Sequence, residues 1–582
     1  MRIEFTKKDL FFILAVLSVS ILLVVLIYPW FSLMTTDGVF YALMGESLAK
    51  GEGLSVYGQP HLIFSPLLSV FIAFFFLIAR DLYFAAHLGV IFCGLASVAA
   101  IYILVKEMVS RRAAQIAALF LAFSGVWIWQ YTVTISAQIP AGLFAILTAL
   151  ALWKASGVKD LPSIRDYLWF LAAGVFIGLS YLARPEYFII LLFALIYFFG
   201  VILSPSIKHR INFSDGSHRR ENSLTRRFFI AFRMTKGRGV CRFGGARAKT
   251  LVAALLLVIV GFLVVSSPYL LFLHKHLGHW TITGRMAEGS MGLSGIEMEK
   301  IDDVGGGTAI VSPSKFDRGV LQVFSENFGA LSKKTFDGLL TTEHNFLQVF
   351  GFLGVGFFAF GLHRWLLEKR LKEFAIFLIS LSPVVLVALY QGATPNYLVQ
   401  FLYIFLILAA VGFRDFYDKI VSGFHLNGWP ASNASRSNAG WRAKTLFFGL
   451  ISVTVFYFFF PALQNYLFLP KDYSEKEFKQ MGLWMNENTP NIEQKTVYSR
   501  KPEVAFYAGS KWQIVPNVDS YEQLFSAMKK NNIQYLVVDD RYFKAARPQF
   551  NDLLSPDKAP ENLKLIKTTE FYGKRVLLYQ LQ

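Results

Sequence analysis

The feature that most constrains this chain is its series of long apolar runs, several of them 18 residues or more, the length a helix needs to cross hydrocarbon. Residues 10–31 form the first. That run is longer than the apolar core of a cleavable signal and has no small-residue cleavage site, so it reads as a retained span. Further runs at 82–105, 113–130, 137–153, 167–183, 185–204, 250–272, 345–363, 373–391, 396–413 and 445–463 give a polytopic α-helical membrane protein of about 11 transmembrane helices. A composition of 54% hydrophobic and 16% charged residues is that of a chain whose solvent is a bilayer.

The run at 62–79 decides the topology. It carries Pro66 near its start and is barely long enough to span. If it crossed, with Lys7 and Lys8 anchored inside, every later basic loop would fall outside, against the positive-inside rule. As a re-entrant or interfacial helix on the outer side, it leaves 1–9, 106–112, 154–166, 204–249, 364–373 and 414–444 inside. Those segments together carry +19 against +18 for the whole chain, so the remainder nets −1. The basic balance therefore encodes orientation in a membrane crossed many times, with the N-terminus on the inner side. The polybasic tract 204–249 reads as an anchor to anionic lipid, and it has no aromatic platform or motif for nucleic acid. Cys93 lies in an apolar run and Cys241 in the basic tract, so no disulfide framework is implied.

Two domains follow: a membrane domain at 1–463, with outer loops 32–81 and 273–344, and a C-terminal outer-face domain at 464–582. In the latter, "TVYSR", "QYLVVDD" and "RVLLYQLQ" read as strands around a helical "SYEQLFSAMKKNN", which predicts a small α/β fold. Asp539 and Asp540 read as a solvated strand end. The "GGG" at 305–307 lacks the strand-before, helix-after context of a phosphate cradle. Metal-spaced His/Cys clusters are absent from the sequence.

Asp37, in "TTDGVFYALMGESLAKGEGL" at 35–54, sits where the chain leaves the first span. Spacing alone makes it an N-cap, its carboxylate accepting from the orphan N–H groups of a short helix. Phe40, Leu43, Met44 and Leu48 follow on one face, as in a helix lying on the interface.

This acid, the "VFYALMGESLAKGEGL" after it and the Pro-interrupted apolar stretch together resemble the GT-C superfamily of membrane glycosyltransferases. The nearest branch looks like bacterial relatives of lipid A aminoarabinose transferases and protein O-mannosyltransferases. "ARPEYF" at 183–188, "SPYLLFLHKHLGHWTITGR" at 267–285 and "ATPNYLVQFLYIFLIL" at 393–408 are similar to further family segments, so the resemblance covers nearly the whole chain. It implies transfer of a sugar from a polyprenyl-phosphate donor to a lipid, glycan or protein acceptor on the outer face. Asp37 is then the general base, and His274, Lys275, His276, Arg285 and Arg184 are candidates for the donor phosphate. The ordinary readings are interfacial anchoring for the 274–276 group and local pairing with Glu186 for Arg184. His61, Gln138, Glu186 and Tyr397 are candidates for the cavity or acceptor, with a solvent-facing role the plainer reading of His61 and an aromatic belt that of Tyr397. Gln138 stands near where relatives place an acid, and Ala393 where aminoarabinose transferases have lysine. No metal ligands are assigned; a divalent metal stays open as a cofactor. The rival reading is a polytopic transporter or flippase of lipid-linked glycans, for which mid-membrane broken helices in paired halves would be expected; none is visible in the sequence.

Overall fold

The computed structural model describes residues 5–31, 33–125, 127–128, 134–157, 163–203, 245–284, 328–391, 398–426, 445, 449–450, 452–454 and 475–582. Its helices run, in order, α1 (Lys7–Phe31), α2 (Thr36–Ala49), α3 (Leu67–Ala79), α4 (Leu82–Met108), α5 (Arg111–Ala122), α6 (Gln138–Ala155), α7 (Ile164–Ala183), α8 (Phe188–Leu203), α9 (Gly245–Leu277), α10 (Phe328–Leu367, broken at Gly351), α11 (Leu371–Leu381), α12 (Pro383–Gln391) and α13 (Leu402–Leu426). Among the described residues seven helices are long and apolar enough to cross a membrane. They fall on the runs expected at 10–31, 82–105, 137–153, 167–183, 250–272, 345–363 and 396–413.

The other runs differ for local reasons. The 113–130 run gives α5, which ends at Ala122; the 185–204 run gives a short apolar helix. The 373–391 run is divided into α11 and α12 at Ser382, before Pro383, whose ring leaves no N–H for the helical ladder. Most of 445–463 lies outside the described residues. α3 has 13 residues and thus a length of about 20 Å, short of the hydrocarbon thickness of about 30 Å. It stops at Arg80 in the left-handed conformation and packs against α2 and α4.

Small residues let the long helices approach closely, as membrane helices do when no water drives them together. A Cβ at Gly174 of α7 would lie 2.1 Å from the Val258 carbonyl oxygen of α9, and one at Gly361 of α10 would lie 1.9 Å from that of Leu408 in α13. Apolar side chains such as Leu22 and Leu26 of α1, Leu192 and Ile196 of α8, and Leu256 and Val260 of α9 face outward instead. Their i, i+4 spacing is that of a lipid-facing stripe.

Ion pairs gather five of the six segments expected inside at one end of the bundle, while 204–244 lies outside the described residues. Asp9 is fully buried and pairs with Lys106 at 2.8 Å and Arg111 at 3.0 Å. Lys154 pairs with Glu107, Arg112 with Asp418 at 3.8 Å, and Arg364 with Asp415 at 3.2 Å.

The C-terminal region holds β3 (Thr496–Ser499), β4 (Lys511–Ile514), β5 (Tyr535–Asp539), β6 (Leu563–Phe571) and β7 (Lys574–Leu581), after a hairpin of β1 (Ser55–Val56) and β2 (Gln59–Pro60) near α2. The five-stranded sheet has the order β4-β3-β5-β7-β6, with β3 parallel to β4 and β5, and β7 antiparallel to β5 and β6. Strand alternation splits its residues between two cores. Val497, Val537, Val576 and Leu578 join a core continuous with the membrane helices, through α14 (Lys476–Asn488) and α15 (Glu503–Ala508). Tyr498, Leu536, Val538 and Leu577 face a second core under α16 (Tyr521–Lys530). The expected strands and helix are all present; α14, α15, β4 and β6 are additional. Asp539 is not a solvated end. It is buried, and its Oδ1 accepts from the backbone N–H groups of Arg541 and Tyr542, closing the chain after β5. Asp540 does pair, with Arg575 at 3.0 Å.

Candidate functional site

Asp37 occupies the first turn of α2, but it is not the cap. Thr35, extended at φ −87 and ψ 162, takes that place, its Oγ1 accepting from the Gly38 N–H at 3.1 Å. The N-cap shifts by two residues from the sequence expectation because Thr and Asp are near-equivalent caps and only backbone geometry separates them. The Asp37 carboxylate is left exposed in the first turn of α2.

Nor does α2 lie as a half-wetted interfacial helix. Val39, Phe40, Tyr41, Ala42 and Met44 are all buried, which encloses it on nearly every side. Gly45 admits α3 so closely that a Cβ there would meet Ile72 at 2.7 Å, and Ser69 of α3 donates to the Tyr41 carbonyl at 2.9 Å. With α2 clamped, the position of Asp37 is set by the body of the protein rather than by a loose loop.

A chain of contacts joins this turn to most of the other described candidates. A Cβ on Gly38 would reach Ile135 at 2.9 Å, which puts the segment before Gln138 against the start of α2. Gln138 opens α6 and accepts from Ser136. One turn on, Gly142 lies under the Gln400 carbonyl, 3.4 Å from where its Cβ would be. The Gln400 side chain donates to Glu186 at 3.5 Å, and Glu186 pairs with Arg184 at 2.5 Å. The local Arg184–Glu186 pair is therefore present, and it is buried.

His61 is buried rather than solvent-facing, contrary to the plainer sequence reading. Its ring joins a three-ring cluster with Phe40 of α2 at 5.5 Å and Phe64 at 5.3 Å, themselves 5.9 Å apart, and burial pushes its pKa down to about 4. The physical reason is tertiary: the β1–β2 hairpin folds back over α2, so His61 caps an aromatic stack. Its neighbour Leu62 meets Gly284, where a Cβ would lie 2.1 Å from the Leu62 carbonyl oxygen. The segment leaving α9 thus reaches the same end of the bundle, fixed also by Tyr181 donating to the Ile282 carbonyl at 2.7 Å.

His274, Lys275 and His276 form the last turn of α9. His274 stacks on Trp280 at 4.3 Å, its Nδ1 buried without a hydrogen-bond partner among the described residues, while His276 rests on Phe272 and Lys275 is exposed. Arg285 and Tyr397 lie outside the described residues, as do Ala393 and the 305–307 glycines. Among the described residues no group of three or more His, Cys, Asp or Glu could hold a metal ion.

Two features escaped the sequence reading. Gln400, wholly buried beside Glu186, had a signal: a lone amide in an apolar run. Thr36 hydrogen-bonds to Glu503 at 2.6 Å and to Lys501 at 3.0 Å, across more than 460 residues of chain, and no pattern announces that. A cleft of about 780 Å³ also opens between the far half of α2 and the C-terminal domain, lined by Glu46, Lys50, Tyr57, Tyr83, Lys479 and Tyr507. Asp37 is not part of its wall, so the exposed carboxylate and this cleft are separate features.

Residues 61–216 match the family model of dolichyl-phosphate-mannose-protein mannosyltransferases. Among solved structures, the chain is similar to ArnT from Cupriavidus metallidurans bound to undecaprenyl phosphate, at 13% identity and a TM-score of 0.51, over 97% of both chains. It is similar also to the archaeal oligosaccharyltransferase AglB from Archaeoglobus fulgidus, in complex with an inhibitory peptide and a dolichol-phosphate. That match has 16% identity and a TM-score of 0.51, over 92% of this chain and 70% of the other. No curated protein matches. The fold is that of the GT-C membrane glycosyltransferases, with a small sheet domain at the C-terminus.

Proposed function

We propose that this membrane protein of GT-C fold is a glycosyltransferase that moves a sugar from a polyprenyl-phosphate donor to a hydroxyl acceptor at the outer face of a bacterial inner membrane. The observation that carries the reading is the end-to-end likeness to the undecaprenyl phosphate-bound ArnT, in a chain that holds an exposed carboxylate, Asp37, on a clamped helix start. The family-model match over 61–216 points to the same class of lipid-phosphate sugar donor.

The chemistry asked of the residues is modest. As the acceptor oxygen attacks the anomeric carbon, the Asp37 carboxylate takes its proton. The bond from that carbon to the phosphate oxygen breaks, and the lipid phosphate leaves with the electron pair, so the configuration inverts. Arg184 and the 274–276 turn supply cationic and donor groups for the departing phosphate, with Arg285 assigned alongside them, and Tyr397 assigned to the cavity, from the sequence. Gln138, Glu186 and His61 shape the walls; His61, neutral and enclosed, contributes an aromatic surface rather than charge.

The test is incubation of the purified protein with a panel of polyprenyl-phosphate sugars, following release of the lipid phosphate. Carrier release from at least one donor supports the proposal. If the protein binds such donors but only moves them across vesicles with the sugar–phosphate bond intact, it is a transporter.

A further inference from the structure

Glu503, at the first position of α15, is a buried acid that the proposed reaction does not use. It is 1% exposed, its Oε1 accepts from the Thr36 hydroxyl at 2.6 Å, and its Oε2 has no hydrogen-bond partner among the described residues. Lys501 donates to the same hydroxyl at 3.0 Å and lies 4.0 Å from Glu503 and 3.9 Å from Glu475. Glu475 in turn accepts from the Tyr542 hydroxyl. Two residues before Thr36, the Met34 N–H donates to the Tyr507 hydroxyl at 2.8 Å. The C-terminal domain therefore holds residues 34–36 by three polar bonds from Lys501, Glu503 and Tyr507.

A carboxylate buried with one oxygen unmet is costly, and an apolar side chain would seal the same interface more cheaply. What the acid adds is direction. Thr36 both donates and accepts, so Lys501 and Glu503 fix its side chain from two sides. Thr36 is the first residue of α2, and Asp37 is the next.

We propose that Lys501 and Glu503 are positioning residues that hold Asp37 through Thr36, so that the docked C-terminal domain completes the reactive geometry. This rests on the reading of Asp37 as the base. It gives the domain a role in turnover itself, apart from any role in acceptor choice. A shift of about 1 Å in a reacting group can cost about 100-fold in rate, which sets the scale on which such a device acts.

The experiment compares Glu503→Ala, Thr36→Val and Thr36→Ser with the wild type and with Asp37→Asn, in the full-length protein. Lipid phosphate release supplies kcat and the donor KM. Glu503→Ala and Thr36→Val are expected to lower kcat by about 10- to 100-fold with the donor KM within about twofold, and Thr36→Ser to recover most of the loss. A second arm needs no substrate: Asp37→Cys, with Cys93 and Cys241 replaced by Ser, is labelled with a membrane-impermeant maleimide. Adding Glu503→Ala is expected to change the labelling rate at least fivefold. Wild-type kcat in Glu503→Ala and Thr36→Val together with a silent Asp37→Asn overturns the positioning role alone. An active Asp37→Asn overturns the base, and the labelling arm then judges the positioning: an unchanged rate refutes it.

Discussion

Arg184 and Glu186 allow structure and function to be separated by a double-variant cycle. Their side chains are 7% and 10% exposed, 2.5 Å apart, with Gln400 as a further donor to the carboxylate. Removing one partner breaks a buried ion pair, which costs about 3–5 kcal/mol, whereas replacing both by apolar residues of similar volume is about neutral. Arg184→Met and Glu186→Leu should each lower stability by that amount, read from the midpoint of a mixed-micelle SDS titration, and the double variant should return to near the wild-type midpoint. Donor binding should not return with it. If the Arg184 guanidinium also meets the donor phosphate, its loss removes a charge-assisted contact of about 1.5–3 kcal/mol, or about 10- to 150-fold in the donor KM. A double variant with wild-type donor KM makes the pair purely structural. Single variants that unfold at the wild-type midpoint contradict the burial argument itself.

Two other expectations rest on packing and on burial. Gly361→Leu should abolish recovery of monodisperse protein, because a Cβ there falls 1.9 Å from the Leu408 carbonyl oxygen; Gly356→Leu, in the same helix but with nothing within 4 Å among the described residues, should behave as wild type in size-exclusion chromatography. His61, whose pKa falls from 6.5 to about 4, binds protons less readily folded than unfolded. Its contribution is whole above about pH 6.5 and is lost as pH falls through 4, up to about 3 kcal/mol. His61→Phe, which keeps the stack, should flatten the pH dependence of the unfolding midpoint over that window; an identical slope in both proteins refutes the assignment.

Much of the membrane architecture could be read from the chain because hydrocarbon imposes simple rules. A run such as 82–105 has to be a helix, and the charges at Lys106, Arg111 and Arg112 have to share an end. The ion pairs of Asp9 with Lys106 and Arg111 bring those segments together as the charge count requires. The strands were legible for a similar reason: the short unbroken apolar run in "QYLVVDD" suits a strand buried on both faces. What escaped is tertiary. Whether Thr35 or Asp37 caps α2 depends on backbone torsions. Whether His61 meets water depends on a hairpin folding back onto Phe40. Thr36 and Glu503 find each other only because a domain docks, and Asp539 is buried by the turn that it caps itself. Ser382 marks another kind of miss, where Pro383 broke a run whose hydropathy is continuous. Asp37 could be singled out from sequence only through the family resemblance, since its spacing fitted a cap equally well.

The central claim is that Asp37 removes the proton of the incoming hydroxyl. It is tested most directly by lipid phosphate release in Asp37→Asn, an exposed and nearly isosteric change that should leave insertion and the SDS midpoint untouched. The account predicts a fall of about 100- to 10,000-fold in kcat at unchanged donor KM. Release at the wild-type rate from a correctly folded Asp37→Asn protein contradicts it.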